Sequence, residues 1–162
     1  MDIAKIYEYA LQREHEGYDF FTTNAKKMGS LAAADVFVKL AAEEEKHISY
    51  INALITRLKS NQTSAAVSDP LPDEDLFSKR ADIEHIEETV IESMIPDVTV
   101  LRMAYLIERD FAEFYEMAAT KAEDDAQQAL RKLAAWERGH ERLFKELHDR
   151  VYQEYMQMPW GG

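Results

Sequence analysis

One eight-residue pattern occurs twice in the chain and restricts its fold more than any other feature. Residues 40–47 read LAAEEEKH and residues 133–140 read LAAWERGH, so both follow L-A-A-x-E-x-x-H. Another pair of similar segments precedes them, EHEGYDFF at residues 14–21 and ERDFAEFY at residues 108–115. Glu14 precedes Glu44 by 30 residues, and Glu108 precedes Glu137 by 29 residues. We interpret this similarity as an internal duplication of one helical hairpin.

Apolar residues recur at a spacing of three to four along four long segments, which is the pattern of amphipathic helices. Gly29-Ser30 separates the first two segments, with Ser30 as a candidate N-cap, and Asp124-Asp125 can cap the fourth. Two long helices joined by so short a turn must lie antiparallel. The predicted helices span residues 3–28, 31–59, 98–123 and 125–156.

The composition changes between the two predicted hairpins. Residues 60–75, SNQTSAAVSDPLPDED, are polar, contain two prolines and show no period, so they predict a loop. Residues 82–95, DIEHIEETVIESMI, predict a short amphipathic helix inside the connection. The predicted fold is therefore all-α, a four-helix bundle of two antiparallel hairpins joined by a long crossover. The predicted organisation is a single domain at residues 1–162, with hairpins at 3–59 and 98–156 and the crossover at 60–97.

The composition also narrows the classes of function. The chain has 162 residues, of which 46% are hydrophobic, enough for one domain with a substantial core. It contains no cysteine, which excludes disulfides, thiolate nucleophiles and cysteine-ligated metals, and its net charge of −12 would repel nucleic acid. No apolar run approaches the ~20 residues that span a bilayer, and the opening MDIAKIYEYA lacks the apolar core of a secretory signal. We therefore expect a cytoplasmic protein without nucleic-acid or membrane partners.

Six ionisable residues interrupt the apolar stripes. Each long helix places a glutamate among apolar residues at helical spacing, and two helices add a histidine three residues later. Counted from the turn of each hairpin, the glutamates lie 13–15 residues along their helices, so at ~1.5 Å per residue they lie level. Four carboxylates and two imidazoles would therefore meet inside the bundle. They are Glu14, Glu44, His47, Glu108, Glu137 and His140.

Burying four unpaired carboxylates is prohibitively unfavourable unless cations or protons compensate them. The apolar stripes hold no Lys or Arg, whereas two divalent ions would balance four carboxylates. Carboxylate oxygens and imidazole nitrogens suit iron or manganese, with zinc as a common competitor. For His47 or His140 alone, the simpler interpretation is a buried histidine with a glutamate partner. The repeated order of all six residues favours a site for two metal ions.

Several further residues have less specific signals. Tyr18, Tyr105 and Tyr115 lie near the candidate ligands in sequence and are expected to pack in the core. A hydrogen bond to a ligand is the alternative role for these tyrosines. His85, on the predicted crossover helix, is expected to be solvated, and His148 near the end of the fourth helix has no obvious partner.

Taken together, the motifs EHEGYDFF, EEEKH, IERDFAEFY and WERGH resemble those of the rubrerythrin branch of the ferritin-like superfamily. The resemblance covers both hairpins and implies a ferritin-like four-helix bundle that holds two iron ions, with manganese or zinc as substitutes. It implies that some of the carboxylates bridge the two ions. The implied ligands are Glu14 and Glu108 as the lone glutamates, and Glu44 with His47 and Glu137 with His140 as the paired ligands.

The resemblance also implies an activity, because rubrerythrins reduce hydrogen peroxide to water at a di-ferrous centre. Two departures bear on it. Rubrerythrins usually end in a rubredoxin domain whose iron is held by four cysteines, and this chain has none, so its electrons would come from a separate donor such as a rubredoxin-like protein. Rubrerythrins also carry an additional carboxylate three residues after the ligand of the third helix, and here that place is taken by Phe111.

Three functions are compatible with these residues. The first is a non-haem di-iron oxidoreductase that reduces peroxide or dioxygen, with a homodimer implied by the resemblance. The second is iron handling, since related ferritins oxidise ferrous iron at a similar site. The third is a non-enzymatic helical module stabilised by zinc or by no metal, whose acidic surface would suit a basic partner.

Overall fold

The described part of the chain consists almost entirely of long helices. The computed structural model describes residues 2–28, 31–60 and 98–157, which contain four α-helices and no strand. The prediction of an all-α protein with four long helices is confirmed, whereas the predicted crossover helix and the N-cap at Ser30 lie outside the described residues. The helices are α1 (Ile3–Ala25), α2 (Leu31–Lys59), α3 (Val98–Lys121) and α4 (Asp124–Gln157).

Four of the eight helix ends coincide with the prediction, and the other four differ from it by one to three residues. α1 ends at Ala25 rather than at residue 28, and just after it the backbone N–H of Lys27 donates to the Asn24 carbonyl at 2.9 Å, the i→i−3 bond of a tightened last turn. α4 begins at Asp124, which has a backbone φ of 48°. Aspartate tolerates this left-handed conformation better than most residues, so the chain can reverse direction within the short turn that follows α3.

The two helices of each hairpin are antiparallel neighbours, α1 with α2 and α3 with α4. The start of α1, the end of α2, the end of α3 and the start of α4 share one apolar cluster, and the opposite ends share another. α2 therefore ends at the end of the bundle opposite to that at which α3 begins. An ion pair of 2.7 Å between Arg57 and Asp125 connects the end of α2 to the start of α4.

The apolar core is divided into two clusters with a buried polar layer between them. One cluster includes Tyr7, Ile51 and Leu130, and the other contains Phe21 and Phe144 among several aromatic rings. Leu58 follows Leu54 at the helical spacing of the buried face of α2 but is 40% exposed, because it lies in the last turn, beyond the residues that reach the cluster. In the described part of the chain, no helix is long and apolar enough to cross a membrane.

Truncation of Phe144 is expected to destabilise the bundle by about 3–5 kcal/mol, because its ring is fully buried and its removal leaves a cavity. The ring centroid lies 5.4 Å from that of Phe21 and 5.3 Å from that of Phe37. Urea denaturation of Phe144→Ala, followed by circular dichroism, measures the loss. Met117→Ala is the control, since Met117 is 55% exposed and its truncation should change stability by less than about 0.5 kcal/mol. Equal effects of the two substitutions would contradict the assignment of this core.

Candidate metal centre

Between the two apolar clusters, every helix turns a glutamate towards the bundle axis. In α1, Glu14 lies on the same buried face as Ala10, Gly17 and Phe21, because residues three and four apart share one side of a helix. The same spacing places a histidine beside the glutamate of α2 and of α4, one turn further along. No member of the resulting set is more than 3% exposed. The six are Glu14, Glu44, His47, Glu108, Glu137 and His140, all of which the sequence predicts.

The ligand atoms of these residues form two overlapping groups. In each group the atoms lie within 4.8 Å of one another, a spacing at which they could hold a metal ion. Glu44 and Glu137 belong to both groups, so these two carboxylates are the ones placed to bridge two ions. The first group adds Glu14 and His47, and the second adds Glu108 and His140.

The two imidazole rings face each other across this layer, with centroids 5.4 Å apart and planes inclined by 17°. Nδ1 of His47 hydrogen-bonds to Glu14 Oε2 at 3.0 Å and lies 2.9 Å from Glu137 Oε1. Nδ1 of His140 lies further from its neighbours, 3.4 Å from Glu137 and 3.6 Å from Glu108. Each histidine therefore turns Nδ1 towards the carboxylates.

Among the three candidate tyrosines, Tyr115 makes the hydrogen bond that the sequence left as an alternative to packing. Its buried hydroxyl donates to Glu14 Oε1 across the interface between the two hairpins. Burial and the Glu14 carboxylate raise the pKa of Tyr115 well above its usual range, so the hydroxyl keeps its proton and remains a donor. Tyr18 and Tyr105 pack against the second apolar cluster instead.

Most of the polar atoms in this layer lack hydrogen-bond partners among the described residues. Both carboxylate oxygens of Glu44, Glu108 and Glu137, and Nδ1 of His140, are buried without a directed hydrogen bond. Leaving so many acceptors unsatisfied would be strongly destabilising in a dry interior. Oxygen and imidazole donors of this kind are ligands for iron, manganese or zinc, so the residues present fit a metal site.

Burial and the charges of neighbouring residues shift the pKa values of the glutamates and of His47 in this layer. Burial, and then the charge of Glu137, raise the pKa of Glu44, while burial followed by Glu44 raises the pKa of Glu108. Burial alone would lower the pKa of His47, but the nearby carboxylates, Glu137 first, reverse this and raise it. Burial would raise the pKa of Glu137, yet His47 and His140 bring it below its usual range. Without a bound ion, protons would therefore balance the carboxylates, and a metal ion would displace them.

A comparison with known families agrees with this geometry. The family model described as Rubrerythrin matches residues 5–148, which include all six residues of the buried layer. The chain belongs to the rubrerythrin family. Searches of curated proteins and of solved structures gave no significant match. Membership of the rubrerythrin family suggests iron binding, and the identity and number of the ions stay predictions.

Phe111, the residue three positions after Glu108 at which the resemblance implies an additional carboxylate, is an apolar residue whose ring is buried. A Cβ atom added at Gly17 would lie 3.1 Å from this ring and 3.5 Å from the Glu44 carboxyl group. Glycine therefore allows the close approach of α1, α3 and the Glu44 side chain. The guanidinium of Arg13 lies over the Phe111 ring, 4.6 Å from its centroid. Phe111 thus places an apolar ring between α1 and α3 beside this rubrerythrin site.

The indole ring of Trp136, a residue not among the sequence candidates, stacks on His47. The ring centroids are 4.9 Å apart and the planes are inclined by only 6°. Nε2 of His47 is buried without a hydrogen bond to any described residue, whereas metal-binding histidines usually donate a hydrogen bond from the second ring nitrogen. In this rubrerythrin-family chain, the flat contact with Trp136 orients the imidazole instead. The sequence feature that could have indicated Trp136 is its position immediately before Glu137 in the repeated motif.

Two further glutamates that were not among the sequence candidates are also buried. They are Glu43 and Glu141, which are 4% and 9% exposed. Both have cationic partners, which separates them from the metal candidates. Lys46 lies 2.6 Å from Glu43, and Arg109 and Arg138 lie 2.9 and 2.6 Å from Glu141. In the described ranges, the groups of residues able to hold a metal do not include either glutamate.

One expectation about a histidine outside the site was wrong. His148 was expected to have no obvious partner, but its Nδ1 lies 3.0 Å from a carboxylate oxygen of Asp149. Its ring also stacks on Tyr152 and contacts the edge of Tyr105. His148 is therefore a partly buried surface residue with local contacts, remote from the metal candidates.

Proposed function

We propose that the protein is a non-haem di-iron oxidoreductase that reduces hydrogen peroxide to water. The observation that carries the proposal is the pair of overlapping, fully buried carboxylate and histidine groups in a chain of the rubrerythrin family. Two ferrous ions bound there would supply the two electrons that, with two protons, convert one peroxide into two water molecules.

The carboxylates of the site would neutralise the charge of the two bound ions. Four carboxylates balance two divalent ions, so the loaded site is close to neutral and tolerates burial. Glu44 and Glu137 are shared by both groups and would keep the two ions together. The Tyr115 hydroxyl holds one oxygen of Glu14, so this ligand keeps its orientation when charge at the site changes.

The proposed reaction needs a separate source of electrons, since the chain has no cysteine with which to bind a rubredoxin-type iron. A rubredoxin-like protein is the donor that we propose. A cytoplasmic location is consistent with a cysteine-free chain that receives its electrons from another protein. By resemblance we also propose a homodimer, and size-exclusion chromatography with light scattering would separate it from the large shell expected of a storage protein.

A ferroxidase is the second candidate, and Phe111 is the observation that favours it. By the resemblance, the additional carboxylate of rubrerythrins helps an iron ion to shift its position with redox state, and Phe111 cannot replace it. A site of six ligands would then oxidise ferrous iron with dioxygen and release ferric iron. This candidate predicts iron as a substrate that leaves the site, whereas the first predicts iron as a resident cofactor.

The two candidates differ in the oxidant that they prefer. We expect protein loaded anaerobically with two equivalents of ferrous iron to be oxidised at least about tenfold faster by hydrogen peroxide than by dioxygen. Stopped-flow absorbance measures both rates, and a reduced rubredoxin-like donor should then restore the ferrous state for repeated turnovers. Faster reaction with dioxygen, followed by loss of ferric iron from the protein, would favour the ferroxidase. Oxidation by neither would favour the non-enzymatic module.

A further inference from the structure

We infer that the two metal positions of this site are inequivalent, and that the position containing Glu14 and His47 binds the first ion more tightly. We call it position A, and we call the position containing Glu108 and His140 position B; both share Glu44 and Glu137. The inference rests on the proposed function only in requiring that the site holds two divalent ions.

The internal duplication makes the comparison of the two positions direct. Aligning Glu14 with Glu108 also aligns Phe21 with Tyr115, since each aromatic residue lies seven residues after its glutamate. Aligning Glu44 with Glu137 pairs Glu43 with Trp136, each one residue before the shared ligand. The ligands are therefore duplicated, while the residues that support them differ between the halves.

The first difference concerns the lone glutamates. At position A, the Tyr115 hydroxyl donates to Glu14 Oε1. The matched residue of the other half, Phe21, has no hydroxyl, and its ring packs against Phe144 in the apolar cluster. Both oxygens of Glu108 consequently lack a hydrogen bond to the described residues. Glu14 is held in place by a residue outside the ligand set, and Glu108 is not.

The second difference concerns the histidines. Trp136 stacks on His47 at 4.9 Å, whereas the matched Glu43 pairs with Lys46 at 2.6 Å. Nδ1 of His47 lies 2.9 Å from Glu137, 3.0 Å from Glu14 and 3.6 Å from Glu44, the three carboxylates of position A. Nδ1 of His140 lies 3.4–3.7 Å from those of position B. His47 is therefore closer than His140 to the two carboxylates that come from other helices, and the ligands of position A have the additional contacts with Tyr115 and Trp136.

Such support should appear as a difference in affinity. A ligand that is already oriented loses less conformational freedom when it binds an ion, so a preorganised position binds more tightly. The hydrogen bond between His47 and Glu14 must be replaced when an ion enters position A, but the same two atoms then bind the ion without moving far. We expect an affinity difference of at least about tenfold, in the range measured when supporting residues of metal ligands are removed.

The test is an anaerobic calorimetric titration with ferrous iron. Two binding steps are expected for the unaltered protein, separated by more than the statistical factor for two equal sites. Tyr115→Phe should weaken the first step about tenfold and leave the second unchanged, because it removes only the hydroxyl that holds Glu14. Trp136→Leu should weaken the same step, whereas Trp136→Phe, which keeps a flat ring against His47, should restore most of it.

The duplication offers a matched control in Phe21→Tyr, which places a hydroxyl at the corresponding position for Glu108. If this variant folds, as judged by circular dichroism, the second step should tighten and the first should not. Two equal steps in the unaltered protein, or an equal effect of Tyr115→Phe on both steps, would overturn the inference and leave the proposed function intact. Two unequal steps without turnover of peroxide or dioxygen would refute the proposed function alone, and absence of ferrous binding would refute both.

Discussion

Replacement of Glu108 by alanine is expected to lower the rate of iron-dependent peroxide turnover about 100-fold or more, while the helical content stays unchanged. Glu108 is fully buried and is the candidate ligand that α3 contributes to the site. Its loss leaves His140 and the two shared glutamates to hold the second ion, so a centre that needs two ions should fail. The measurements are the initial rate of peroxide consumption with a reduced donor and the number of ferrous ions bound per chain.

The control for this substitution lies on the same helix. Glu113→Ala also removes a carboxylate from α3, but Glu113 is exposed, so both the rate and the iron content should be unchanged. A far-ultraviolet circular dichroism spectrum shows whether either variant has lost helix. Full peroxide turnover by a folded Glu108→Ala variant would exclude the six-residue site as the reaction centre.

Loading with ferrous iron is expected to raise the melting temperature, and the increase is expected to grow between about pH 5 and about pH 8. An ion present at about 100 times its Kd contributes about 2.7 kcal/mol, which for a chain of this length corresponds to about 5–10 °C. The reason is that the buried carboxylates and imidazoles otherwise have only protons to balance them.

The direction of the pH effect follows from the pKa shifts. The pKa values of Glu44 and Glu108 are raised above 4.5 and that of His47 above 6.5, so their stabilising protons are fully bound below those values. This contribution is lost as the pH rises through the folded-state pKa values. Glu137 has the opposite shift, and its contribution is lost only as the pH falls below 4.5. The metal-free protein should therefore lose stability with rising pH, whereas bound ions replace the protons and remove that loss.

Differential scanning calorimetry of the metal-free and the loaded protein across this pH range measures the two trends. The Glu108→Ala variant serves as a comparison, because it removes one group with a raised pKa and one metal ligand. Its increase in melting temperature on loading should be smaller and should depend less on pH. An increase that stays constant with pH in the unaltered protein would show that protons and ions do not compete at this site.

The positions of the six candidate ligands were predictable because the signal is periodic and local. A glutamate on an apolar stripe, as Glu44 between Leu40 and Ile51, must be buried if the helix packs at all. Counting residues from the turn then indicates that the glutamates of one hairpin lie level, since the rise per residue in a helix is constant. Some helix ends were less predictable, such as that of α1, because the last turn of a helix can tighten through i→i−3 bonds like the one from Lys27 to Asn24.

Contacts between the hairpins were not predictable from spacing. Tyr115 and Glu14 are separated by 101 residues, and their hydrogen bond depends on how α3 meets α1. Glu43 and Glu44 adjoin in one acidic run, yet only Glu44 faces the other ligands while Glu43 faces Lys46. The rotation of each helix about its own axis determines which of two adjacent residues faces the site. The helical period of 3.6 residues does not specify this rotation closely enough to distinguish them.

Periodicity and segment length were therefore sufficient to predict the helices, their antiparallel pairing and the set of six ionisable residues at one level. The packing of the helices sets which carboxylates are shared, which tyrosine holds a candidate ligand and which histidine stacks on Trp136. These features depend on distances of a few ångströms between side chains of different helices. Such distances are set by the packing of the two apolar clusters on either side of the site, because a close-packed interior allows few alternative arrangements.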